Sequence, residues 1–565
     1  MIPALRYKHS PPWLFLFLAY ASVLTGCGDL QRTEYDTDIM IYGATSGGIT
    51  AAIQAARSGK KVMLIEPTQH IGGTTTGGLV WTDYGQEGVV GGLAGEFYGR
   101  VTAHYRSPAA WKVEDAARER LLSGKYIKSF EPRVADSVFR KMLLEAGIKI
   151  ITGERLDLRN GVVMKNNMID EIRFESGETL TARIFIDATY EGDLMALADV
   201  SYHVGRESAE TYGESLAGVL AEDSTVNQPK RYFNKLDKYM MGSATRGYSR
   251  VDPYDDEGNL LYGIQDVPLE APGTGDNKLQ AYNVRIVLTT NPENMIPITR
   301  PHDYDSTKYE LLIRYVRAHK LDHIRQVLWK IDPVPNQKTD INDGCPFSTD
   351  YIGFNWDYAE ADYNRRQEIL DAHHSFTKGL IYFIGHDPRM PLSIRSEMQR
   401  YGYPKDEYVD NNHWTPQVYI RETRRMIGEY VMTQKDIEQN TSKAHSIGMG
   451  SYALDSHHIQ RVVTADGELI NEGNFTIRID GPYEIPYESI IPKKTECVNL
   501  LVPVCVSSSH VAFGSIRMEP VYMVLGQAAA SAACLALEEG NDVHKIDYET
   551  LREQLIEGGQ RLTFN

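Results

Sequence analysis

Residues 38–66 read DIMIYGATSGGITAAIQAARSGKKVMLIE, and this stretch constrains the chain more than any other. It predicts an apolar strand, a glycine turn, a helix of small residues and a second strand that ends on an acid. The run 38–42 suits a buried parallel strand, and Gly43, Gly47 and Gly48 let the backbone turn sharply and approach a ligand. The helix that follows offers the unpaired N–H groups and positive dipole end of its first turn, where a pyrophosphate binds. Ile49, Ala51, Ala52, Ile53, Ala55 and Ala56 give that helix a slim apolar surface, and Gly59 is placed to end it. Glu66 lies 23 residues beyond Gly43, close to the spacing of a carboxylate that accepts a ribose hydroxyl. Thr45 departs from the Gly-x-Gly-x-x-Gly pattern, because its side chain stands where a phosphate favours bare backbone. The string predicts a dinucleotide site that uses Gly43, Thr45, Ser46, Gly47, Gly48 and Glu66.

An address label precedes this unit. Arg6 and Lys8 are followed by the apolar run 13–24, which at about 1.5 Å per residue is too short to cross a bilayer of roughly 30 Å and reads as a signal peptide. It ends in Leu24-Thr25-Gly26-Cys27, which resembles the lipobox of bacterial lipoproteins and implies lipidation of Cys27. The expectation is a signal peptide over 1–26, a lipidated tether over 27–37 and a cell-envelope lipoprotein, periplasmic or at the cell surface. The net charge of −17 argues against nucleic acid as a partner. Beyond Cys27 stand Cys345, Cys497, Cys505 and Cys534, with no Cys-x-x-Cys pair, so no iron–sulfur or structural zinc site is expected. Buried thiols are the expectation for these four.

Further along, 72–78 is GGTTTGG, too rich in glycine and threonine for a stable helix but suited to wrapping amides around a flat ligand. Gly72, Gly73 and Thr74 join the cofactor candidates. Residues 133–146 carry a helical period, 148–152, 162–165 and 169–174 read as short strands, and 184–189 is a buried strand that ends in Asp187-Ala188-Thr189. From 207 the texture turns to Tyr, Asp, Asn and Pro with few clean periods, broken by a strand over 280–289 and a helix over 309–321. From 486 the first texture resumes, with a strand over 499–506, where Pro503 argues for an edge or bend, and a helix over 522–537 crowded with small residues. The expected architecture is α/β: a Rossmann-like domain split into 38–206 and 486–565, with an α+β substrate domain over 207–485 that may share elements with it.

Five strings carry a resemblance: 42–67, 185–198 (FIDATYEGDLMALA), 419–434 (YIRETRRMIGEYVMTQ), 446–461 (SIGMGSYALDSHHIQR) and 503–533 (PVCVSSSHVAFGSIRMEPVYMVLGQAAASAA). Together they resemble the FAD domain of the glutathione-reductase superfamily, and more closely a bacterial FAD-dependent oxidoreductase family whose members are sometimes labelled xanthan-lyase related. The resemblance implies FAD, with Ala188, Thr189, Gly526 and Gln527 added to the cofactor contacts. Tyr190 stands where many relatives have glycine, which is tolerable provided its backbone is not left-handed. No second glycine fingerprint offers a site for a pyridine nucleotide, so the enzyme is expected to exchange electrons between its substrate and a separate acceptor.

His510 ranks first among the catalytic candidates, followed by His457 and His458, each a base able to take a proton as hydride leaves a carbinol carbon. Arg517 is suited to offsetting negative charge on reduced flavin or binding an anionic substrate, with a salt bridge to Glu519 or a neighbouring acid as the plain alternative. Arg421, Glu422, Arg424 and Arg425 are expected on a helix with a partly solvated face, and Arg421 is the one assigned to the cleft. Asp455, His457 and His458 do not suggest a metal site, because adjacent histidines diverge. The 34 tyrosines and 6 tryptophans suit a saccharide-like ligand. The expected function is oxidation of a CH–OH group in a small polar, saccharide-derived molecule. The alternatives are a flavin-dependent reductase or lyase acting on an unsaturated substrate, and an FAD-containing electron-transfer or binding lipoprotein without turnover.

Overall fold

The strand Thr37–Tyr42, the helix Ser46–Arg57 and the strand Val62–Glu66 form where the sequence places them. They belong to a computed structural model that describes residues 35–220, 251–328, 330–342, 346–439 and 442–564. The expected leader, the tether and Cys27 lie outside the described residues. Residues 36–565 form one compact unit.

A five-stranded parallel sheet carries the strands in the order Leu500–Leu501, Ala182–Asp187, Thr37–Tyr42, Val62–Glu66 and Ile150–Thr152. Ile39 faces Val62 on one side and Ile184 on the other. Central strands of a parallel sheet are covered on both faces, which is why Thr37–Tyr42 and Ala182–Asp187 are nearly all buried. The final strand is shorter than its apolar run predicts. Only Leu500 and Leu501 pair, at the sheet edge, and Val502 N–H turns away to the carbonyl of Ile490 at 2.8 Å. Pro503, which has no N–H to donate, follows directly.

The helix Glu519–Glu539 lies buried against Ser46–Arg57. Small residues set the spacing: a Cβ on Gly526 would lie 2.0 Å from the carbonyl oxygen of Gly47. Thr50 Oγ1 also donates to the carbonyl of Met523 at 2.8 Å. Two pieces of chain more than 470 residues apart thus form one layer on the sheet.

A second five-stranded sheet is antiparallel, ordered Met295–Pro297, Gly402–Pro404, Ile286–Thr289, Lys338–Asn342 and Lys330–Val334. The long helix Tyr363–His386 packs against the short helices Leu392–Met398 and Ser306–Tyr309. The antiparallel pair of Ser446–Gly450 with Tyr483–Pro486 packs instead on the helix Glu519–Glu539, where a Cβ on Gly448 would lie 2.3 Å from Val524 Cγ1.

Two local expectations are corrected. Residues Gly73–Thr76 do form one helical turn, entered through left-handed Gly72 at φ +86° and stabilised by side-chain hydrogen bonds that composition does not reveal. The arginine run is not helical: Arg424–Met426 is a strand paired with Tyr202–Val204, and Arg421, Glu422, Arg424 and Arg425 are all buried. Local charge spacing predicted partners along a helix, but apart from the Glu422–Arg425 pair the partners Asp350, Asp193 and Glu207 come from distant segments. Tyr190 is not among the residues with positive φ, so the glycine it replaces is not needed. Cys497, Cys505 and Cys534 are buried free thiols, and Cys345 lies outside the described residues.

Candidate functional site: a cofactor cradle beside a buried polar network

The glycine turn is held from several sides. Gly43 has φ +100°, a conformation open to glycine, and its N–H donates to the carbonyl of Ile65 at 2.7 Å. Thr45 caps the helix: its Oγ1 accepts Gly48 N–H at 3.3 Å and donates to the carbonyl of Ala188 at 2.7 Å. The threonine that broke the glycine pattern therefore spends its hydroxyl on the protein. The glycines likewise answer to protein atoms, since a Cβ on Gly48 would lie 1.8 Å from the carbonyl oxygen of Gly43, and one on Gly43 would lie 2.7 Å from the backbone of Ala188 and Thr189.

Glu66 closes the far side. Its Oε2 accepts Ala44 N–H at 2.7 Å, and its Oε1 accepts the N–H and hydroxyl of Thr68 at 2.9 and 2.7 Å. Burial pushes its carboxyl above the ordinary range, against the pull of these donors. The Ala44 carbonyl accepts Gly72 N–H at 2.7 Å, which brings the second glycine segment to the first. A Cβ on Gly73 would lie 2.1 Å from the Tyr190 hydroxyl.

These segments enclose a cavity of about 820 Å³ whose lining includes Gly43, Thr45, Glu66, Gly73, Thr189 and Tyr190. Its volume lies in the range of sites that hold cofactor-sized molecules, roughly 300–1,000 Å³. A helix N-terminus, a sheet-end glycine turn and a carboxylate at the ribose spacing meet on its wall, so the residues present fit a flavin dinucleotide. Its outer walls carry Arg133, Asp136 and Arg140 from the helix Pro132–Glu145, and Arg366, Leu370 and His374 from the helix Tyr363–His386. Gly526 and Gln527 are absent from the lining: Gly526 sets the helix spacing, and Gln527 Oε1 accepts Leu93 N–H at 2.7 Å. Ser46 and Thr74 turn their hydroxyls to Glu519 behind the wall, at 2.5 and 2.6 Å.

The histidines and arginines singled out in the sequence assemble into two joined networks. In the first, His457 Nδ1 lies 2.7 Å from Asp350 Oδ2, and His457 Nε2 lies 3.7 Å from Asp455. Arg421 donates to Asp350 Oδ1 at 3.0 Å, and Arg517 donates to Asp455 Oδ2 at 3.2 Å and to the Tyr419 hydroxyl at 3.0 Å. Both guanidinium groups lie over the Tyr419 ring, 4.8 and 6.0 Å from its centroid. Burial works against charge on Asp455, but His457 and Arg517 hold its carboxyl below the usual range. In the second, His510 Nδ1 lies 2.9 Å from Glu422, and His510 Nε2 lies 3.3 Å from Ser456 Oγ. Glu422 is also paired with Arg425, which in turn donates to Glu207 at 2.7 Å. Burial would raise Glu422, but His510 and Arg425 outweigh it and hold the carboxyl down at about 2. Gln280 links the networks, donating to Glu422 at 2.7 Å and accepting His457 N–H at 3.2 Å.

His458 is buried, with its carbonyl accepting Ala281 N–H at 2.8 Å. The Arg517–Glu519 pair weighed from the sequence is replaced by Arg517–Asp455. Asp350, Tyr419 and Gln280 were not singled out from the sequence, and Glu519 stood there only as a salt-bridge partner for Arg517. Asp350 lies in a tract without periodicity and Gln280 opens an expected strand, whereas Tyr419 and Glu519 stand inside the strings 419–434 and 503–533.

Three carboxylates, Glu131, Asp406 and Glu407, also converge near the cavity wall, within 4.8 Å of one another. Lys338 Nζ sits among them, 2.7 Å from Glu131 and 2.8 Å from Asp406.

Compared with known protein families, residues 38–555 match the model described as FAD dependent oxidoreductase. The chain belongs to that family. FAD is thus the cofactor of this oxidoreductase, and the cradle is where its residues fit it. No curated protein matches the chain. Among solved structures, the oxidoreductase is similar to OTEMO in complex with FAD and NADP, at 14% identity over 28% of this chain and 26% of that one, with a TM-score of 0.19. It is similar to CabE, an aromatic hydroxylase from angucycline biosynthesis, at 15% identity over 31% and 35%, with a TM-score of 0.23. It is also similar to L-proline dehydrogenase from P. horikoshii, at 16% identity over 30% and 58%, with a TM-score of 0.22. The chain spans only about a quarter to three-fifths of the length of these structures.

Proposed function

We propose that this FAD-dependent oxidoreductase is a lipoprotein of the cell envelope that oxidises a CH–OH group of a small polar, saccharide-derived substrate and passes the electrons to a separate acceptor. The observation that carries the chemistry is the pairing of two of the three candidate bases with buried carboxylates: His457 with Asp350 at 2.7 Å and His510 with Glu422 at 2.9 Å. A carboxylate that accepts the Nδ1 proton fixes the ring and leaves Nε2 as the nitrogen that takes a proton. Loss of the hydroxyl proton to that nitrogen leaves the carbinol carbon ready to release hydride. FAD, when bound, supplies the acceptor for that hydride. The side chains of Arg421 and Arg517 are buried, and their Nε atoms have no hydrogen-bond partner among the described residues. Such unused donors suit a developing alkoxide or an anionic substituent of the substrate. The envelope location rests on the run 13–24 and the lipobox-like ending at Cys27.

Anaerobic titration of the yellow protein with a panel of sugar-derived alcohols tests the reaction. Bleaching of the flavin bands by one of them is the expected result. Reoxidation of chemically reduced flavin by an unsaturated compound would replace this reading with the reductase alternative. Cys27→Ser should move the protein from the membrane to the soluble fraction.

A further inference from the structure

Glu519 is the first residue of the helix Glu519–Glu539, 4% exposed, and its carboxylate accepts four hydroxyl groups. Ser46 Oγ and Thr75 Oγ1 donate to Oε2 at 2.5 and 2.7 Å, and Thr74 Oγ1 and the Tyr190 hydroxyl donate to Oε1 at 2.6 and 2.7 Å. Tyr190 in turn accepts Thr74 N–H at 3.0 Å. No ion pair involves Glu519 among the described residues, so its partners are hydroxyls from three separate segments. Each segment also reaches the cavity: Ser46 follows Thr45, Thr74 and Thr75 lie between Gly73 and Thr76, and Tyr190 lines it directly.

We infer that Glu519 is a positioning residue for the cofactor. Its carboxylate fastens the glycine turn, the Gly73–Thr76 turn and the end of the strand Ala182–Asp187 into one cradle, and places a negative charge directly behind the cavity wall. Hydroxyls bonded to a charged acceptor are held more firmly than neutral pairs. The geometry also explains why the two glycine segments need each other: each contributes only one or two of the four donors. A negative charge beside the cavity disfavours adding electrons to the flavin held there.

The test compares wild type with Glu519→Gln, prepared as apoprotein and titrated with FAD by fluorescence quenching, with the midpoint potential measured on the reloaded enzyme. The amide keeps the shape, but loses the charge and one acceptor oxygen. FAD affinity should fall by about tenfold or more, as expected for losing one or two charge-assisted bonds. The midpoint potential should become more positive, as removal of a negative charge beside the cavity requires. Unchanged affinity or an unchanged potential would overturn the inference. Tyr190→Phe and the double variant Ser46→Ala with Thr75→Val keep the charge and remove donors, so they cover the case in which Glu519→Gln does not fold. Both should weaken FAD binding while leaving the potential in place, and wild-type affinity in both would overturn the positioning role.

Discussion

Asp350 holds His457 from a segment 107 residues away, with 2.7 Å between Oδ2 and Nδ1. The other oxygen of the same carboxylate accepts Arg421 at 3.0 Å and Asn283 Nδ2 at 2.9 Å. One buried acid therefore orients a base and anchors a cation. Asp350→Asn keeps the volume but can turn its NH₂ toward His457, which disfavours the tautomer that accepts at Nε2. Flavin reduction by substrate should slow by about 10²-fold or more, the usual contribution of a positioned general base. Stopped-flow measurement of flavin bleaching checks this, and a wild-type rate would remove His457 from the proposed reaction.

His510→Ala separates the two histidines. The flavin spectrum should persist, because His510 is not part of the cavity lining, while reduction slows by about 10²-fold if His510 is the base. The same variant leaves Glu422 buried with Arg425 and Gln280 as its remaining side-chain partners among the described residues. A large fall in thermal stability with normal reduction kinetics would assign His510 a structural role.

Gly526→Ala tests the layer that joins the two ends of the chain. The added methyl would lie 2.0 Å from the Gly47 carbonyl, a backbone atom that cannot rotate aside. Overpacking of this kind costs about 1–3 kcal/mol, and the displaced helix carries Glu519 with it. Both the melting temperature and FAD retention should fall in the purified protein.

His373 supplies a stability change with pH. It is 1% exposed, and burial pushes its pKa down to about 4, against about 6.5 in an unfolded chain. As pH falls below about 6.5 the unfolded chain takes up a proton that the folded one refuses, so stability is lost progressively from there toward pH 4. The slope approaches about 1.4 kcal/mol per pH unit within that window. Urea midpoints at pH 7 and pH 5 should therefore differ more in wild type than in His373→Leu, and equal differences would contradict the assignment.

Much of the cofactor site was legible in the sequence because it is local. The strand, turn and helix from Thr37 to Arg57 form from contiguous propensities, and Glu66 reaches the Ala44 N–H because strand geometry fixes its distance from the turn. Thr45 lines the cavity as expected of a cofactor-site residue, but the sequence did not show that its hydroxyl donates to Ala188, 143 residues away. The arginine run failed as a helix for the same reason. Arg424 pairs with Asp193 and Arg425 with Glu207, and neither partner lies within a helical turn of it.

The sequence by itself determined the cofactor class and the α/β frame, since apolar periodicity, glycine placement and the acid after the second strand act over a few residues. Only the tertiary structure decided which polar groups share a burial site: Asp350 with His457, Glu422 with His510, and Glu519 with four hydroxyls from three segments. A buried charge must find partners wherever the fold brings them, and that requirement leaves no periodic trace along the chain.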